Sequence, residues 1–415
     1  MTRRESTWGV GPRRRASVDR AGSRDATRVV VVVGRSVNRS IGRSVDMWTS
    51  LRESVGACAG YETRALDDGD GTMDVDGDDA TTTTTAMRSE TDARGRTYVV
   101  TGVPESVVAV ECARRLRRAG ARVVCASADV DAAEEATREE AETTTTATNE
   151  DGNGNGGVGS TLGELVVLHM DPERLDTVEG FVEAFCARAW ALDGVLNACA
   201  ATLEPFALTE DEIEKHFAVN HLVGFKLTAL LMNELVRTAA AAGREGRVVN
   251  VSSNLHHFTY RVRRGTVKPS RGIDFNNLNN AMGYSAMNSY GQSRLANILH
   301  AWSLSERMEQ SGSPVRCVAV TPGMTQLELE RSLDFPGGGL LSGALKPVMI
   351  SSVEDAAATP LYCLTADTLP EGTYFNNCAP VKSSLPSRDP RLASKLWEFS
   401  EEMCGIAPSV SVDPK

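Results

Sequence analysis

Tyr290 and Arg294 stand four residues apart in a stretch patterned for a helix, YGQSRLANILHAWSLSERMEQSG (290–312), and so share one helical face a turn apart. A phenol, with a reference pKa of about 10, is a poor acid–base group near neutrality unless a cation lies close by. Arg294 supplies the charge, but its planar fork is longer and more directional than an ammonium group. Other polar landmarks close apolar, strand-like runs: Gly102 ends TYVVTG (97–102), Ser253 ends RVVNVSS (247–253), and Pro322 and Gly323 end VRCVAVTPG (315–323). Metal chemistry is not expected. The histidines are His169, His216, His221, His256, His257 and His300; His216 and His221 are five apart, no HExxH occurs, and His256 and His257 read as loop residues near a cleft.

The elements that must position these residues alternate. TYVVTG reads as a buried strand, 105–120 as a helix with a terminal glycine, and ARVVCA (121–126) as the next strand, a βαβ unit. Strands follow at 164–171, 194–201, 247–253 and 315–323, with helices at 178–189, 210–243 and 290–312. The pattern predicts an α/β fold: a Rossmann-type, doubly wound parallel sheet in a single domain with a disordered N-terminal extension. Such a sheet binds ligands beyond the carboxyl ends of its strands, where Gly102, Ser253, Pro322 and Gly323 fall.

The rest of the chain bounds the alternatives. Its net charge of −11 disfavours a nucleic-acid partner. Residues 1–56 carry twelve arginines, no lysine and five acids, a net of +7, whereas 61–96 carry ten acids against four arginines. Residues 1–96 have few periodic apolar positions and are expected to be a disordered or targeting extension; the Val29–Val33 run is read as an isolated apolar patch. The folded domain is expected over 97–405, interrupted by a mobile low-complexity insertion at 129–160, with a tail at 406–415. Nine cysteines without a CxxC suit a reducing compartment. No transmembrane span is expected, and the arginine-rich start leaves cytoplasm and chloroplast both open.

HFAVNHLVGFKLT (216–228), RVVNVSS, YGQSRLANILHA (290–301), TPG (321–323), GTYFNNC (372–378) and LWEFSEEM (396–403) occur in an order that resembles the short-chain dehydrogenase/reductase family. The resemblance covers about 97–405 and is to the branch of retinol dehydrogenases, plant chloroplast-envelope-type dehydrogenases and the catalytic domain of the WW-domain-containing oxidoreductase. It implies hydride transfer between the nicotinamide of NAD or NADP and an alcohol or ketone. The implied catalytic positions are Asn220, Ser253, Tyr290 and Arg294, the last a lysine in the family. Ser253 would hydrogen-bond the substrate oxygen and Tyr290 would deliver its proton.

The family's TGxxxGxG loop maps onto TGVPESVV (101–108), which keeps Thr101 and Gly102 but places Ser106 and Val108 at the later glycines. Cofactor contacts are expected from Thr101, Gly102, Ser106, Val107, Asp171, Pro322 and Gly323, with the helix N-terminus serving as the anion site. The NNAG motif is NACA (197–200) or ACAA (198–201). At the end of the second strand Ala128 stands where NADP users often have arginine, and Ser127 where NAD users carry an acid. Asp129 reads as a surface acid, the residues choose neither cofactor, and the resemblance alone slightly favours NADP. A small apolar substrate is expected under the glycine-rich segment 334–349, and a homodimer through the long helices is the family's habit. The competing expectation is a weak or inactive homologue that keeps the fold as a binding or scaffold protein.

Overall fold

The computed structural model describes residues 93–138, 162–262, 270–279, 281–325 and 350–407. Residues 1–92 of the expected extension, 139–160 of the expected insertion, the 334–349 segment and the end of the tail lie outside them. The chain enters β1 (Thr97–Thr101), α1 (Val107–Arg118), β2 (Arg122–Ser127), α2 (Val130–Thr137) and β3 (Leu165–His169). It continues through α3 (Thr177–Cys186), β4 (Gly194–Asn197), the single turn α4 (Lys215–Phe217) and a π-turn at Ala218–Leu222 that runs into α5 (Val223–Ala242). Then come β5 (Gly246–Val251), a 3₁₀ turn (Asn254–His257), the small hairpin β6 (Tyr260–Val262) and β7 (Ser270–Gly272), and α6 (Ala286–Ser311). The last part holds β8 (Val315–Thr321), β9 (Met324–Thr325), β10 (Ile350–Ser351), α7 (Val353–Thr365), β11 (Tyr374–Asn376), β12 (Ala379–Pro380) and α8 (Pro390–Cys404).

Eight strands form one sheet in the order β12-β11-β8-β5-β4-β1-β2-β3, parallel throughout except for β12 against β11. This is the doubly wound Rossmann arrangement. Alternate strand residues feed opposite cores, as a pleat of period two requires. Val99, Val124, Val195, Val248 and Ala319 pack with Phe181, Leu227 and Leu295 from α3, α5 and α6. Tyr98, Val100, Val123, Leu196, Val249 and Val318 pack with Leu116 and Leu361 from α1 and α7. Helix α8 lies over α5 and α6, with Trp397 edge-on to Phe225 at 5.0 Å and Phe399 edge-on to Phe217 at 6.0 Å between ring centroids. Among the described residues no helix is long and apolar enough to cross a membrane.

The structure departs from the sequence pattern in three places. The low-complexity stretch opens with an ordered helix, α2, because Asp129 caps it by accepting from the Ala132 amide at 3.0 Å and because Ala133 is buried. The long helix expected from 210 begins only at Lys215, where the Glu214 carboxylate accepts from the amides of His216 (3.1 Å) and Phe217 (2.9 Å). The strand expected to reach 201 stops at Asn197, and the next amide, on Ala198, turns to the hydroxyl of Thr101 at 3.0 Å. Neither α7 nor the β6–β7 hairpin is anticipated from periodicity.

Gly102 carries φ +86°, and a Cβ added there would lie 2.4 Å from the Ala198 carbonyl oxygen. Positive φ and a backbone clash together should make Gly102→Ala cost roughly 2–5 kcal/mol. Gly95, at φ +74° with nothing within 4 Å of an added Cβ, pays only the backbone term. Urea unfolding should therefore find Gly95→Ala about 1 kcal/mol below the unaltered chain and Gly102→Ala far below that.

Candidate active site

The carboxyl ends of β1, β4, β5 and β8 open onto a cleft of about 460 Å³, counting the space open to solvent. Its walls are Ser106 and Val108 at the start of α1, Ala198, Ala200 and Thr202 after β4, Val251 to Ser253 at the end of β5, Tyr290 and Arg294 from α6, and Pro322 and Gly323 after β8. Six of the expected site residues thus meet: Ser106, Ser253, Tyr290, Arg294, Pro322 and Gly323. Thr101, Gly102, Val107, Asp171 and Asn220 lie outside this wall.

Arg294 is 1% exposed. Its Nη1 donates to the carbonyls of Val251 (3.0 Å) and, more weakly, Cys199 (3.4 Å), tying together the chain beyond β4 and β5. Its Cζ sits 5.1 Å from the centroid of the Tyr290 ring, and its Nε has no hydrogen-bond partner. Among the described residues no carboxylate pairs with it. The cation therefore contacts the face of the Tyr290 ring while holding two strand ends. A buried cation without a carboxylate partner among the described residues favours whatever anion enters the cleft beside it.

Asn220 does something different from touching the cleft. Its Oδ1 accepts from the Ala201 amide at 2.7 Å, and its Nδ2 donates to the Ala201 carbonyl at 3.0 Å and to Ser293 Oγ at 2.9 Å. It staples the π-turn to the loop after β4 and to α6. The residue that sequence reasoning missed is Asn297, whose Nδ2 donates to the carbonyls of Asn220 (2.9 Å) and Val251 (2.8 Å). Asn297 is seven residues beyond Tyr290, two helical turns on the same face, and that spacing was a usable signal. Behind it His221 Nδ1 meets Asn297 Oδ1 at 3.3 Å, and His221 Nε2 meets Ser400 Oγ of α8 at 2.8 Å.

The cofactor loop keeps its strand spacing through Thr101 and Gly102, both fully buried or nearly so. Ser106 is the N-cap of α1, its Oγ accepting from the Ala109 amide at 3.3 Å, which leaves the amides of Val107 and Val108 as the orphan donors of the first turn. Val108 is buried and narrows the cleft where the family has glycine. Asp171 accepts from the Glu173 amide at 2.9 Å and so caps the turn after β3. This donor set, amides at a helix N-terminus with a cation at the far wall, fits a dinucleotide diphosphate and nicotinamide.

Two buried clusters flank the cleft. His256 Nδ1 meets the Ser253 carbonyl at 2.7 Å and its Nε2 meets the Ser384 amide at 3.1 Å, so the ring is a neutral tie between the serine loop and the chain before α8. Burial, with the neighbouring His257 adding to it, pushes the His256 pKa down to about 3. On the other side His216 Nδ1 lies 2.8 Å from Glu214 Oε1 and 3.1 Å from the Tyr284 hydroxyl, with its ring edge-on to Tyr290 at 6.1 Å. Burial raises the Glu214 carboxyl, but the hydrogen bond and charge of His216 and two backbone amides outweigh it and hold the group below the usual range. Among the described residues no group of three or more His, Cys, Asp or Glu is placed to hold a metal.

A doubly wound parallel sheet whose cleft gathers a helix N-terminus, a serine, a tyrosine and a buried cation defines a dinucleotide-binding oxidoreductase domain. The short chain dehydrogenase family profile matches residues 96–263. The chain is 31% identical over 322 residues to the short-chain dehydrogenase TIC 32 A, chloroplastic, of Brassica napus, covering 76% of this chain and 91% of that protein. It is 31% identical over 315 residues to retinol dehydrogenase 12 of Mus musculus, covering 75% and 87%. The crystal structure of an uncharacterised protein from Mycobacterium paratuberculosis superposes with a TM-score of 0.56 at 26% identity, over 77% of this chain and 97% of that one. This chain belongs to the short-chain dehydrogenase/reductase family, in its retinol dehydrogenase branch, and is an NAD(P)-dependent oxidoreductase.

The buried histidines set an acid limit. Burial holds His256 at about 3 and, against a hydrogen bond to the Asn297 amide oxygen, His221 at about 4. Unfolding restores both to about 6.5, so the unfolded chain binds more protons below that pH. Their contribution is complete above pH 6.5 and is lost as pH falls toward 4 and then 3, each ring adding a slope of up to about 1.4 kcal/mol per pH unit. Urea unfolding between pH 7 and 4 should show that slope, and His256→Gln should flatten it.

Proposed function

We propose that the domain interconverts an apolar alcohol and its carbonyl, with Tyr290 as the acid–base group and Ser253 as the hydrogen-bond donor to the substrate oxygen. The observation that carries this reading is Arg294: a cation 1% exposed, without a carboxylate partner among the described residues, stacked 5.1 Å from the Tyr290 ring at the cleft wall. In reduction, negative charge develops on the carbonyl oxygen as its carbon is reduced; Ser253 meets that charge, and Tyr290 hands over its proton. Arg294 brings a fixed positive charge against the face of the Tyr290 ring. Arginine does not release a proton in this range, so it acts on Tyr290 by charge and position. Asn220 is a positioning residue here, since its side chain binds backbone and Ser293.

NAD or NADP, when bound, supplies or accepts the hydride. Thr101, Gly102, Ser106 and Val107 would hold the diphosphate at the start of α1, Pro322 and Gly323 the nicotinamide end, and Asp171 the adenine end. The apolar components of the wall, Ala198, Ala200, Val251 and Pro322, suit a lipophilic substrate, and retinaldehyde is a reasonable first probe given the retinol dehydrogenase relatives. The arginine-rich start and the likeness to a chloroplast protein favour the chloroplast over the cytoplasm. A homodimer through α5 and α6 would have to form around α8, which packs on Phe225 of α5 and His300 of α6.

Nicotinamide fluorescence on the full chain should report saturable binding of a reduced dinucleotide. Tyr290→Phe should then lower retinaldehyde turnover by at least about a thousandfold while cofactor affinity stays within about twofold. Absence of binding up to millimolar cofactor would sink the reading and return the chain to the scaffold alternative. Binding with unchanged turnover in Tyr290→Phe would remove Tyr290 from the chemistry.

A further inference from the structure

The Tyr290 hydroxyl has no hydrogen-bond partner among the described residues, so the direction of the phenol is set by what touches its ring. Among those residues its cationic and aromatic contacts are two. The Arg294 guanidinium lies 5.1 Å from the ring centroid, and the His216 imidazole stands nearly perpendicular to the ring, at 79° and 6.1 Å. Arg294 is held in place by the carbonyls of Val251 and Cys199. What holds His216 decides whether the second contact is equally stationary.

The His216 side chain is wholly buried and engaged at both nitrogens. The Glu204 amide lies 3.1 Å from Nε2, and a backbone amide can only donate, so Nε2 presents a lone pair and the ring proton sits on Nδ1. Nδ1 faces Glu214 Oε1 at 2.8 Å. That carboxylate is equally buried, a costly state unless its oxygens meet donors; it has the imidazole and the amides of His216 and Phe217. The Tyr284 hydroxyl donates to the Glu204 carbonyl at 2.9 Å and lies 3.1 Å from His216 Nδ1, and its ring stacks on the imidazole at 6.5 Å and 26°. Both backbone groups of Glu204 are therefore tied to one imidazole plane, from above and below in sequence. With its two nitrogens occupied, His216 has no atom left to exchange a proton with a substrate, and its effect passes through the Tyr290 ring.

We propose that His216 is a positioning residue for the reaction: held by Glu214, the Glu204 amide and Tyr284, it keeps the Tyr290 ring against Arg294 and so aims the phenol at the substrate oxygen. The inference rests on the reading that Tyr290 is the acid–base group. Misplacing a reacting group by about 1 Å costs on the order of a hundredfold in rate, which sets the size of the effect.

The test uses the full chain with its seven tyrosines replaced by 3-fluorotyrosine, the Tyr290 fluorine signal being identified by its loss in Tyr290→Phe. His216→Asn removes the ring but keeps a side-chain N–H for Glu214, and should broaden or split that signal as the phenol samples more than one direction. A shift without broadening reports only the missing imidazole and would overturn the inference. Signals from Tyr98 and Tyr362, which belong to the other core, report the fold; if His216→Asn loses them, Glu214→Gln, which keeps the shape and removes the charge that orients the imidazole, carries the same test. With a reduced dinucleotide and retinaldehyde, His216→Asn should lower kcat about a hundredfold and Glu214→Gln about tenfold, with cofactor affinity within about twofold in both. In a Tyr290→Phe background His216→Asn should change the residual rate by no more than about twofold, since the two residues act as one unit. Unchanged kcat despite a broadened signal, or the full hundredfold loss repeated in that background, would overturn the role. The fluorine measurement needs no substrate, so it decides the inference even where retinaldehyde is not turned over. Failure of both NADH and NADPH to bind at millimolar concentration overturns the oxidoreductase reading, and this inference with it, whatever the fluorine signal does.

Discussion

A single guanidinium holds the site together. Arg294 joins the carbonyl of Val251 at the end of β5 to that of Cys199 beyond β4 and presents its face to Tyr290. Serine and tyrosine come from different elements, and the Arg294–Val251 bond ties the helix that carries the tyrosine to the strand end that precedes the serine. An ammonium group at this position, on a more flexible stem, would be free to move toward a ribose or a phenol. The arginine is instead absorbed into the wall, so its contribution to chemistry is a stationary charge. Stationary charge is what a developing oxyanion or phenolate requires, since it costs no reorganisation as the charge appears.

Behind that wall a polar chain runs through the apolar core. Asn297 holds the carbonyls of Val251 and Asn220, His221 holds Asn297, and Ser400 holds His221. Each link is buried, and a polar group in such surroundings is strongly disfavoured unless paired. The chain therefore ties α8 to the π-turn through His221 and Ser400, alongside the aromatic contacts of Trp397 and Phe399. It also makes α8 part of the site's support, although α8 lies two layers away from the sheet. Gly291 serves the same end on the cleft side. A Cβ there would lie 1.7 Å from the Phe258 carbonyl, so only glycine lets α6 approach the loop carrying Ser253 and His256.

The sheet was legible from the sequence because its strands are buried on both faces and read as apolar runs bounded by glycine or polar residues. Ser253, Tyr290 and Arg294 were legible for a related reason: each sits where a run ends or at a helical spacing that survives folding. What escaped was what depends on contacts between distant segments. Asn220 reads as a relay residue by position, but its amide is consumed by Ala201 and Ser293, a pairing that no local pattern reveals. The early part of 129–160 looks like acidic filler, yet one buried alanine and one aspartate cap are enough to make it a helix. Helix α7 contains Pro360 and opens on the serine cap at Ser352, and its apolar face is recognisable only once α1 lies against it.

The glycine loop shows how far the family pattern can be altered before the anion site is lost. The first glycine is retained because its Cβ would strike the neighbouring strand's backbone, a constraint of the sheet itself. Ser106 replaces the second and spends its hydroxyl on the Ala109 amide, which caps α1 in place of a glycine turn. Val108 replaces the third and shares the cleft wall with Ala198 and Ala200. Bulk on the helix is thus met by small side chains on the facing segment, and the helix keeps its place against the sheet, with Val108 packed in the same core as Ala198 and Val251. The feature that attracts a diphosphate, free first-turn amides at the positive end of a helix, belongs to the backbone and persists through both changes.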